Sequence, residues 1–430
     1  MVTAVTGDIR VIIRGLSDRV VAAQKDVRIL NSIKWDDGVR EAFFASGCRE
    51  QPPVDVDYYK RIPLGFDSQR LAHTFRQIDQ DIVAQLGKFN PAAKIMRRMC
   101  HEYQLVLSML EVRGTPEFSR LSHELYGRST DAFHAGEPTL VDLADSLDSA
   151  LRIIDTHLFL EQNNRDIPTE QAVGMLQSRL DGFFVGSDAK INVRVSDGIV
   201  ADAAAGSDYI KLRKDAWFSE RDLRVLEVHE GWVHVGTTLN GRAQPVCTFL
   251  EKGTPSMTTT QEGLALLVEV ISFSSHPARL RRVTDRIRAI HSAEQGGTFL
   301  DVFNQLCDDG RSQDEAYTTT MRVFRGSVPE GQPFTKDLAY SKGFVHIYNF
   351  IRVAVRRGRL DRIPLLFCGK LTLEDIGSIA ELVEQNLVVQ PRYLPLPFQD
   401  LNALTAWMAY SNFLNRLNLA KVEADFAQLF

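Results

Sequence analysis

The hexapeptide at residues 229–234 reads HEGWVH, so two histidines stand five residues apart with a glutamate directly after the first. On a regular α-helix, at roughly 100° per residue, His229 and His234 would point about 140° apart and could not meet. A spacing of four residues, about 40° apart, brings two imidazoles to one face. A π-bulge absorbs one extra residue and restores that convergence. The spacing therefore predicts a helix irregularity between His229 and His234, with Gly231 where the backbone has to adapt.

The segment QEGLA at residues 261–265 follows on a second predicted helix and supplies an acidic residue, Glu262. Two imidazoles and one later carboxylate can hold a single zinc ion, so His229, His234 and Glu262 are candidate metal ligands. Glu230 adjoins the first histidine and could act as general base toward a zinc-bound water. In the alternative interpretation the histidines are ordinary helix residues and Glu230 is a solvated carboxylate. Glu262 would then be favoured only by the N-terminal end of its helix dipole.

Three further side chains are candidates for supporting roles around such a metal ion. Glu269 stands seven residues after Glu262, two helical turns on, and could accept a hydrogen bond from a ligand imidazole or form a salt bridge. The hydroxyl of Tyr340 could donate a hydrogen bond to the oxyanion that develops during amide hydrolysis, and His346 could do the same. The alternative for Tyr340 is a buried tyrosine with one hydrogen-bond partner.

Substrate binding has candidates of its own among the basic residues. Lys336, Arg322 and Arg325 could each hold a substrate carboxylate, the arginines by paired hydrogen bonds. A structural ion pair is the alternative for either arginine, and a surface position is the alternative for the lysine. The segment at 209–213 alternates as a β-strand does, and a substrate peptide could add to its free edge. A paired interior strand is the alternative there.

Composition excludes some partners. The chain has 430 residues and a net charge of −5, which gives no reason to expect nucleic acid or an anionic membrane as partner. Its five cysteines are scattered without a CxxC pair, which fits a reducing cytosol. Residues 1–14 lack the apolar core of a signal peptide. The longest apolar stretch, 264–273, contains Glu269 and is too short to span a bilayer. We expect a soluble, cytoplasmic protein.

Helical periodicity dominates the pattern of apolar residues, with one short interval of β-like alternation. Strands are expected at 191–195 and 209–213, just before a helix at 219–241 that carries HEGWVH. Ser219 and Asp222 form a capping-box pattern at its start, and Gly241 suits a left-handed cap at its end. The other predicted helices lie at 68–86, 91–112, 140–161, from about 261, and at 278–293, 299–307, 314–324, 342–357, 373–385 and 400–417.

The expected fold class is therefore α+β, predominantly α-helical, with a small β-sheet next to the metal-binding helix. We divide the chain into an N-terminal helical region (1–180), a catalytic core (181–300) and a C-terminal helical region (301–430). The C-terminal region would complete the active site, and the three would form one integrated unit.

Several short motifs together resemble one known family. They are RGTPEF at 113–118, SHELYG at 122–127, HEGWVH, NGRAQP at 240–245, QEGLA and KDLAY at 336–340. In this combination the chain is similar to the QEGLA-motif proteins, whose bacterial members are often labelled flavohaemoglobin expression-modulating proteins. Their animal relatives are the microtubule-associated tyrosine carboxypeptidases, zinc enzymes that remove the C-terminal tyrosine of α-tubulin. The resemblance runs from about residue 20 to near the end.

The resemblance implies one Zn²⁺ per chain held by His229, His234 and Glu262, with Glu230 as general base. It also implies a gluzincin-like core and a metallopeptidase, in carboxypeptidase mode, that acts on a peptide or protein C-terminus. The tubulin substrate is not implied, because the sequence resembles the bacterial branch. Two alternatives stay open: a zinc amidase that acts on a non-peptide substrate, and a non-catalytic metal-binding regulator.

Overall fold

The computed structural model describes residues 2–154, 164–186, 190–197, 199, 202–206 and 208–429. These residues form a mainly helical structure with two small sheets, which confirms the predicted α+β, predominantly α-helical class. The helices of the first part are α1 (Val2–Ala23), α2 (Ile29–Ser32), α3 (Asp37–Ala45), α4 (Val56–Lys60), α5 (Ser68–Leu86), α6 (Pro91–Glu111), α7 (Pro116–Tyr126), α8 (Leu140–Ile153) and α9 (Thr169–Phe183).

The strands and the later helices follow. The strands are β1 (Ile167–Pro168), β2 (Asn192–Ser196), β3 (Ala203–Ala205), β4 (Tyr209–Arg213) and β5 (Trp217–Phe218). A continuous helix, here called the site helix, consists of α10 (Glu220–Leu226), a π-helical segment (Glu227–Val235) and α11 (Gly236–Arg242). After it come α12 (Pro255–Ile271), α13 (Pro277–Glu294), α14 (Phe299–Asp308), α15 (Gln313–Phe324), α16 (Ala339–Arg356), α17 (Ile376–Glu384), α18 (Leu396–Gln399), α19 (Leu401–Leu414) and α20 (Leu419–Phe426). Short 3₁₀ turns lie at Thr248–Glu251, Lys336–Leu338, Leu360–Arg362, Pro364–Phe367 and Leu373–Asp375.

The larger sheet has β4 in its middle, paired with β2 in parallel and with β3 antiparallel. Ile210 and Leu212 of β4 are buried, because they pack in one cluster with the apolar face of α9. The strand predicted at 209–213 is confirmed, and the one predicted at 191–195 is shifted by one residue. The hypothesis that a substrate adds to the edge of β4 is wrong, because both of its edges are already paired.

Most helices lie close to their predicted positions. α5 has the predicted ends, and α6, α13, α14 and α15 differ from the prediction by one residue at one or both ends. The helix predicted at 373–385 begins as a 3₁₀ turn and continues as α17. The helix predicted at 140–161 ends at Ile153, and residues 155–163 lie outside the described part of the chain.

Gly241 is not a left-handed cap. It is absent from the residues with positive φ, and the site helix continues past it to Arg242. A Cβ at Gly241 would overlap the carbonyl oxygen of Leu250. The glycine is therefore explained by the close approach of the 3₁₀ turn at Thr248–Glu251 to the helix.

α12 begins at Pro255 and not after residue 260. Proline suits the first helical turn. The carboxylate of Glu102 on α6 accepts hydrogen bonds from Ser256 N (2.9 Å) and Ser256 Oγ (2.6 Å) and so caps the helix. Glu262 consequently lies in mid-helix, and the helix-dipole explanation for it is wrong.

Buried apolar residues form three clusters among the described residues. The largest joins α1, α5, α6, α7, α12 and α16, and it takes residues from all three predicted regions. The site helix lies between two of the clusters, because Trp232 and Val233 belong to the largest one and Val235 and Leu239 to the one built on α9. Across the described ranges, every helix is too short or too polar to cross a lipid bilayer.

α12 and α16 approach closely where two glycines face each other. A Cβ at Gly263 would overlap the backbone of Gly343, and a Cβ at Gly343 would overlap the carbonyl oxygen of Thr259. Only residues without a side chain allow this approach. It brings Glu262 next to the first turn of α16, where Tyr340 lies.

Candidate metal and substrate site

The π-helical segment brings the two histidines of HEGWVH together. It spans Glu227–Val235, and the ring centroids of His229 and His234 are 4.8 Å apart with the rings nearly perpendicular. The helix irregularity predicted from their spacing is confirmed. Gly231 lies inside it, and a Cβ there would overlap the side chain of Leu180 on α9. A larger residue at this position would require the Leu180 side chain to shift.

α12 places a carboxylate between the two imidazoles. Glu262 Oε2 is 3.3 Å from His229 Nε2 and 3.3 Å from His234 Nε2. This oxygen is buried and forms no hydrogen bond with any described residue. Ligand atoms about 2.0–2.2 Å from a zinc ion, at the corners of a tetrahedron, are about 3.3–3.6 Å apart. The donor types and the two distances from Glu262 Oε2 are therefore compatible with a metal ion such as zinc.

No other group of three histidine, cysteine or acidic side chains in the described part of the chain has this arrangement. Burial would raise the pKa of Glu262, but the charge of Lys336 and the two imidazoles hold that pKa well below its ordinary value. Glu262 is therefore ionised and available to a cation. The roles of His229, His234 and Glu262 as ligands stay a prediction.

Glu269 fixes the orientation of the first imidazole. His229 Nδ1 lies 2.5 Å from Glu269 Oε1, and Arg279 donates to the same carboxylate from Nε (3.1 Å) and Nη2 (2.9 Å). Burial alone would raise the pKa of Glu269, but Arg279 and His229 lower it to about 2. Because the carboxylate can only accept, Nδ1 carries a proton, which leaves Nε2 as the ring atom that a metal ion would bind. Both predicted roles of Glu269, acceptor and salt-bridge partner, are confirmed.

Glu230 lies beside the three candidate ligands and faces a cavity. Its Oε2 accepts a hydrogen bond of 3.1 Å from the backbone N–H of Ala205 on β3. Glu230 and His229 both line a cavity of about 870 Å³. The carboxylate is thus held by the outer strand of the sheet and is open to a molecule that enters the cavity.

The family of this chain is given by its match to a protein-family model. Residues 41–416 match the family model described as microtubule-associated tyrosine carboxypeptidase. The chain belongs to the microtubule-associated tyrosine carboxypeptidase family. The match includes the π-helical segment, α12 and the start of α16, and it confirms the resemblance seen in the sequence motifs. A comparison with curated proteins gives no match.

In this family member, two residues of the KDLAY motif lie beside the three candidate ligands. Lys336 Nζ is 3.4 Å from Glu262 Oε1. The ring of Tyr340 stacks on that of His229, with centroids 6.1 Å apart and 21° between the planes. Tyr340 also lines the cavity beside Glu230. The structure therefore brings Lys336 and Tyr340 together with the candidate ligands.

The other three predicted substrate residues are placed differently. Arg322 lines the cavity, but it donates to both oxygens of Asp337, from Nε (2.6 Å) and Nη2 (2.9 Å). Arg325 is buried, with its guanidinium 5.8 Å from the Phe334 ring, and burial lowers its pKa to about 10. His346 lines a separate cavity of about 440 Å³, together with Lys342. His346 is not brought to the three candidate ligands.

Sequence reasoning missed four basic residues near the site. Arg279, Arg282 and Arg286 of α13 line the cavity, at intervals of three and four residues that place them on one helix face. That spacing was visible in the predicted helix at 278–293. Lys370 Nζ donates to Gln261 Oε1 at 3.3 Å, and burial lowers its pKa to about 8 against the opposing effect of Glu262 and Glu230. It belongs to no motif, so the sequence carried no signal for it.

Proposed function

We propose that the chain is a zinc-dependent metallopeptidase of the gluzincin type that removes the C-terminal residue of a peptide or protein. One observation carries the proposal: His229 Nε2, His234 Nε2 and Glu262 Oε2 converge on one point beside Glu230, and Glu262 Oε2 forms no hydrogen bond with the described residues. The carboxypeptidase mode rests on the family, whose name is that of a tyrosine carboxypeptidase.

The proposed chemistry follows from the three side chains that would hold the metal ion and from Glu230 beside them. Zinc held by these three side chains would polarise the scissile carbonyl and lower the pKa of a water molecule. Glu230 takes the proton of the attacking water and delivers it to the leaving amine. Because Ala205 N–H holds its Oε2, the carboxylate keeps one orientation and leaves Oε1 for the transfer.

The negative charge that develops on the carbonyl oxygen of the substrate needs a hydrogen-bond donor. Tyr340 lies against the His229 ring at the cavity wall, so its hydroxyl is a suitable donor to the oxyanion. Lys336, beside Glu262 Oε1, adds a positive charge at the same place. His346 has no role in this mechanism, because it lines the other cavity.

Metal content tests the ligand set. The purified parent protein should hold about one zinc per chain by plasma mass spectrometry, and His229→Ala and Glu262→Gln should lose most of it. His101→Ala removes an exposed imidazole on α6 and should leave the zinc content unchanged. A folded parent protein that takes up no zinc from a zinc-containing buffer would rule out the metallopeptidase.

Cleavage tests the reaction. N-acetylated tetra-alanine peptides that end in each of the common residues are incubated with the zinc-loaded protein and analysed by mass spectrometry. We expect loss of the single C-terminal residue. Glu230→Gln and Tyr340→Phe should retain zinc and lower kcat by about 100-fold each. Internal cuts would indicate an endopeptidase. Intact peptides with zinc bound would favour the amidase or the regulator.

A further inference from the structure

Next to Tyr340, the side chains around Asp337 carry more positive than negative charge. Arg322 Nε and Arg286 Nε lie 2.6 Å and 3.8 Å from Asp337 Oδ2, and the buried Arg325 is a third guanidinium whose charge acts on the same carboxylate. Arg322 occupies both oxygens of that carboxylate. The nearby pairs Arg279 with Glu269 and Lys336 with Glu262 are each neutral and do not change the excess. Buried charge of one sign requires a counter-ion, so this group of side chains is suited to an anion.

Among these arginines, Arg286 is the one that is available to bind an anion. Its Nε is 3.8 Å from Asp337 Oδ2, beyond hydrogen-bond distance, and its buried Nη1 has no hydrogen-bond partner among the described residues. Its guanidinium lies over the Tyr340 ring, 4.6 Å from the centroid. This contact covers a face of the guanidinium and leaves its N–H edge for an acceptor. Arg286 lines the same cavity as Glu230.

Arg282 adds a second guanidinium one turn earlier on α13. The carboxylate of Asp222 is 4.0 Å away and already pairs with Arg165 at 2.9 Å. Arg282 also lines the cavity. Two guanidiniums that lie 4.0 Å and 3.8 Å from a carboxylate oxygen therefore follow each other on the side of α13 that lines the cavity.

We propose that Arg286 binds the terminal carboxylate of the substrate, assisted by Arg282, an inference that rests on the proposed function. A carboxylate at this place would accept a pair of hydrogen bonds from the guanidinium edge and would balance part of the excess charge. Arg322 then acts as a positioning residue. It donates to both oxygens of Asp337 and so fixes the Asp337 carboxylate, which lies between Arg322 and Arg286. Free-acid C-termini would be preferred over amidated ones for this reason.

Binding without cleavage tests the inference. The zinc-loaded Glu230→Gln protein is titrated by calorimetry with acetyl-tetra-alanyl-tyrosine as free acid and as C-terminal amide. We expect the acid to bind about 10- to 100-fold more tightly. Adding Arg286→Gln should remove this preference, and Arg286→Lys should leave a smaller one, because lysine keeps the charge without the fork. Arg288→Gln is the matched control, since this arginine of the same helix pairs with Asp309 at 2.8 Å and should leave the preference unchanged.

Thermal unfolding separates binding from a structural role. Because Arg286 is one of three positive charges around Asp337, Arg286→Gln should leave Tm unchanged or raise it. Equal affinity for acid and amide, including no measurable binding of either at millimolar concentration, overturns the inference. A preference that survives Arg286→Gln also overturns it. If the preference depends on Arg286 but the parent protein cleaves no peptide, the inference stands and the proposed function fails.

Discussion

At the scale of single residues, Glu269 shows how a side chain outside both motifs can orient a candidate metal ligand. It is fully buried, and its carboxylate is shared between His229 Nδ1 and Arg279. Burial of an unpaired arginine or carboxylate would be costly, so the two charges hold each other in place. Through this contact the imidazole keeps one tautomer and one ring orientation.

Removing the charge of Glu269 should therefore weaken metal binding without removing a ligand. We expect Glu269→Gln to bind one zinc per chain with an affinity about 10- to 100-fold lower than that of the parent. A titration against a competing chelator measures this zinc affinity. Glu251→Gln, which alters a carboxylate that pairs with Arg242 and Lys252, should keep the parent affinity. An unchanged affinity for Glu269→Gln would mean that the imidazole is oriented by packing alone.

The sequence predicted those residues of the site that lie at a fixed helical spacing from one another. Glu269 follows Glu262 by two helical turns, so its place on the same face could be read from the sequence. Arg286 and Lys370 could not be assigned in this way, because their importance depends on which charges surround them after folding. Asp337, for example, stands within the KDLAY segment, yet only the structure shows that it pairs with Arg322 and lies 3.8 Å from Arg286.

At the scale of elements, the π-helical segment was predictable because two imidazoles five residues apart can meet on a helix only through such an irregularity. The glycines were harder to interpret. Gly231 and Gly241 both allow another part of the chain to approach, Leu180 in one case and the Leu250 carbonyl in the other. Neither contact is visible in a sequence, and Gly241 was therefore mistaken for a helix cap.

The glycine contact between α12 and α16 gives a prediction for a whole helix pair. Gly343→Ala would place a methyl group on the carbonyl oxygen of Thr259, so the helices have to separate. We expect a loss of about 1–3 kcal/mol in the free energy of unfolding and, because Glu262 moves with α12, weaker zinc binding. Urea denaturation and the chelator titration measure the two effects.

The control is Gly174→Ala in the middle of α9. No described atom lies within 4 Å of a Cβ there. Alanine is the better helix former, so this substitution should raise the free energy of unfolding by about 0.4–1 kcal/mol. If Gly343→Ala behaves like Gly174→Ala, the close approach of α12 and α16 is not required for stability.

At the scale of the whole molecule, α6 connects segments that are far apart in the sequence. Arg98 donates from Nη1 (2.7 Å) and Nη2 (2.6 Å) to the two oxygens of Asp375, at the start of α17. Glu102, one turn later, caps α12, which carries Glu262. Side chains of α6 thus contact both the C-terminal region and the helix that carries the candidate ligand Glu262.

Breaking this connection should affect stability and metal binding together. Asp375→Ala leaves the Arg98 guanidinium without its main partner and removes the cap of the 3₁₀ turn at Leu373–Asp375. We expect the free energy of unfolding to fall by about 3 kcal/mol, measured by urea denaturation, because one partner of a largely buried pair is lost. Asp361→Ala breaks an exposed pair with Arg359 and should change the free energy of unfolding by less than about 1 kcal/mol. An effect of Asp375→Ala no larger than this control would show that α6 is held by apolar packing alone. A clear loss of stability with unchanged zinc affinity would show that the C-terminal region folds onto the core without shaping the site.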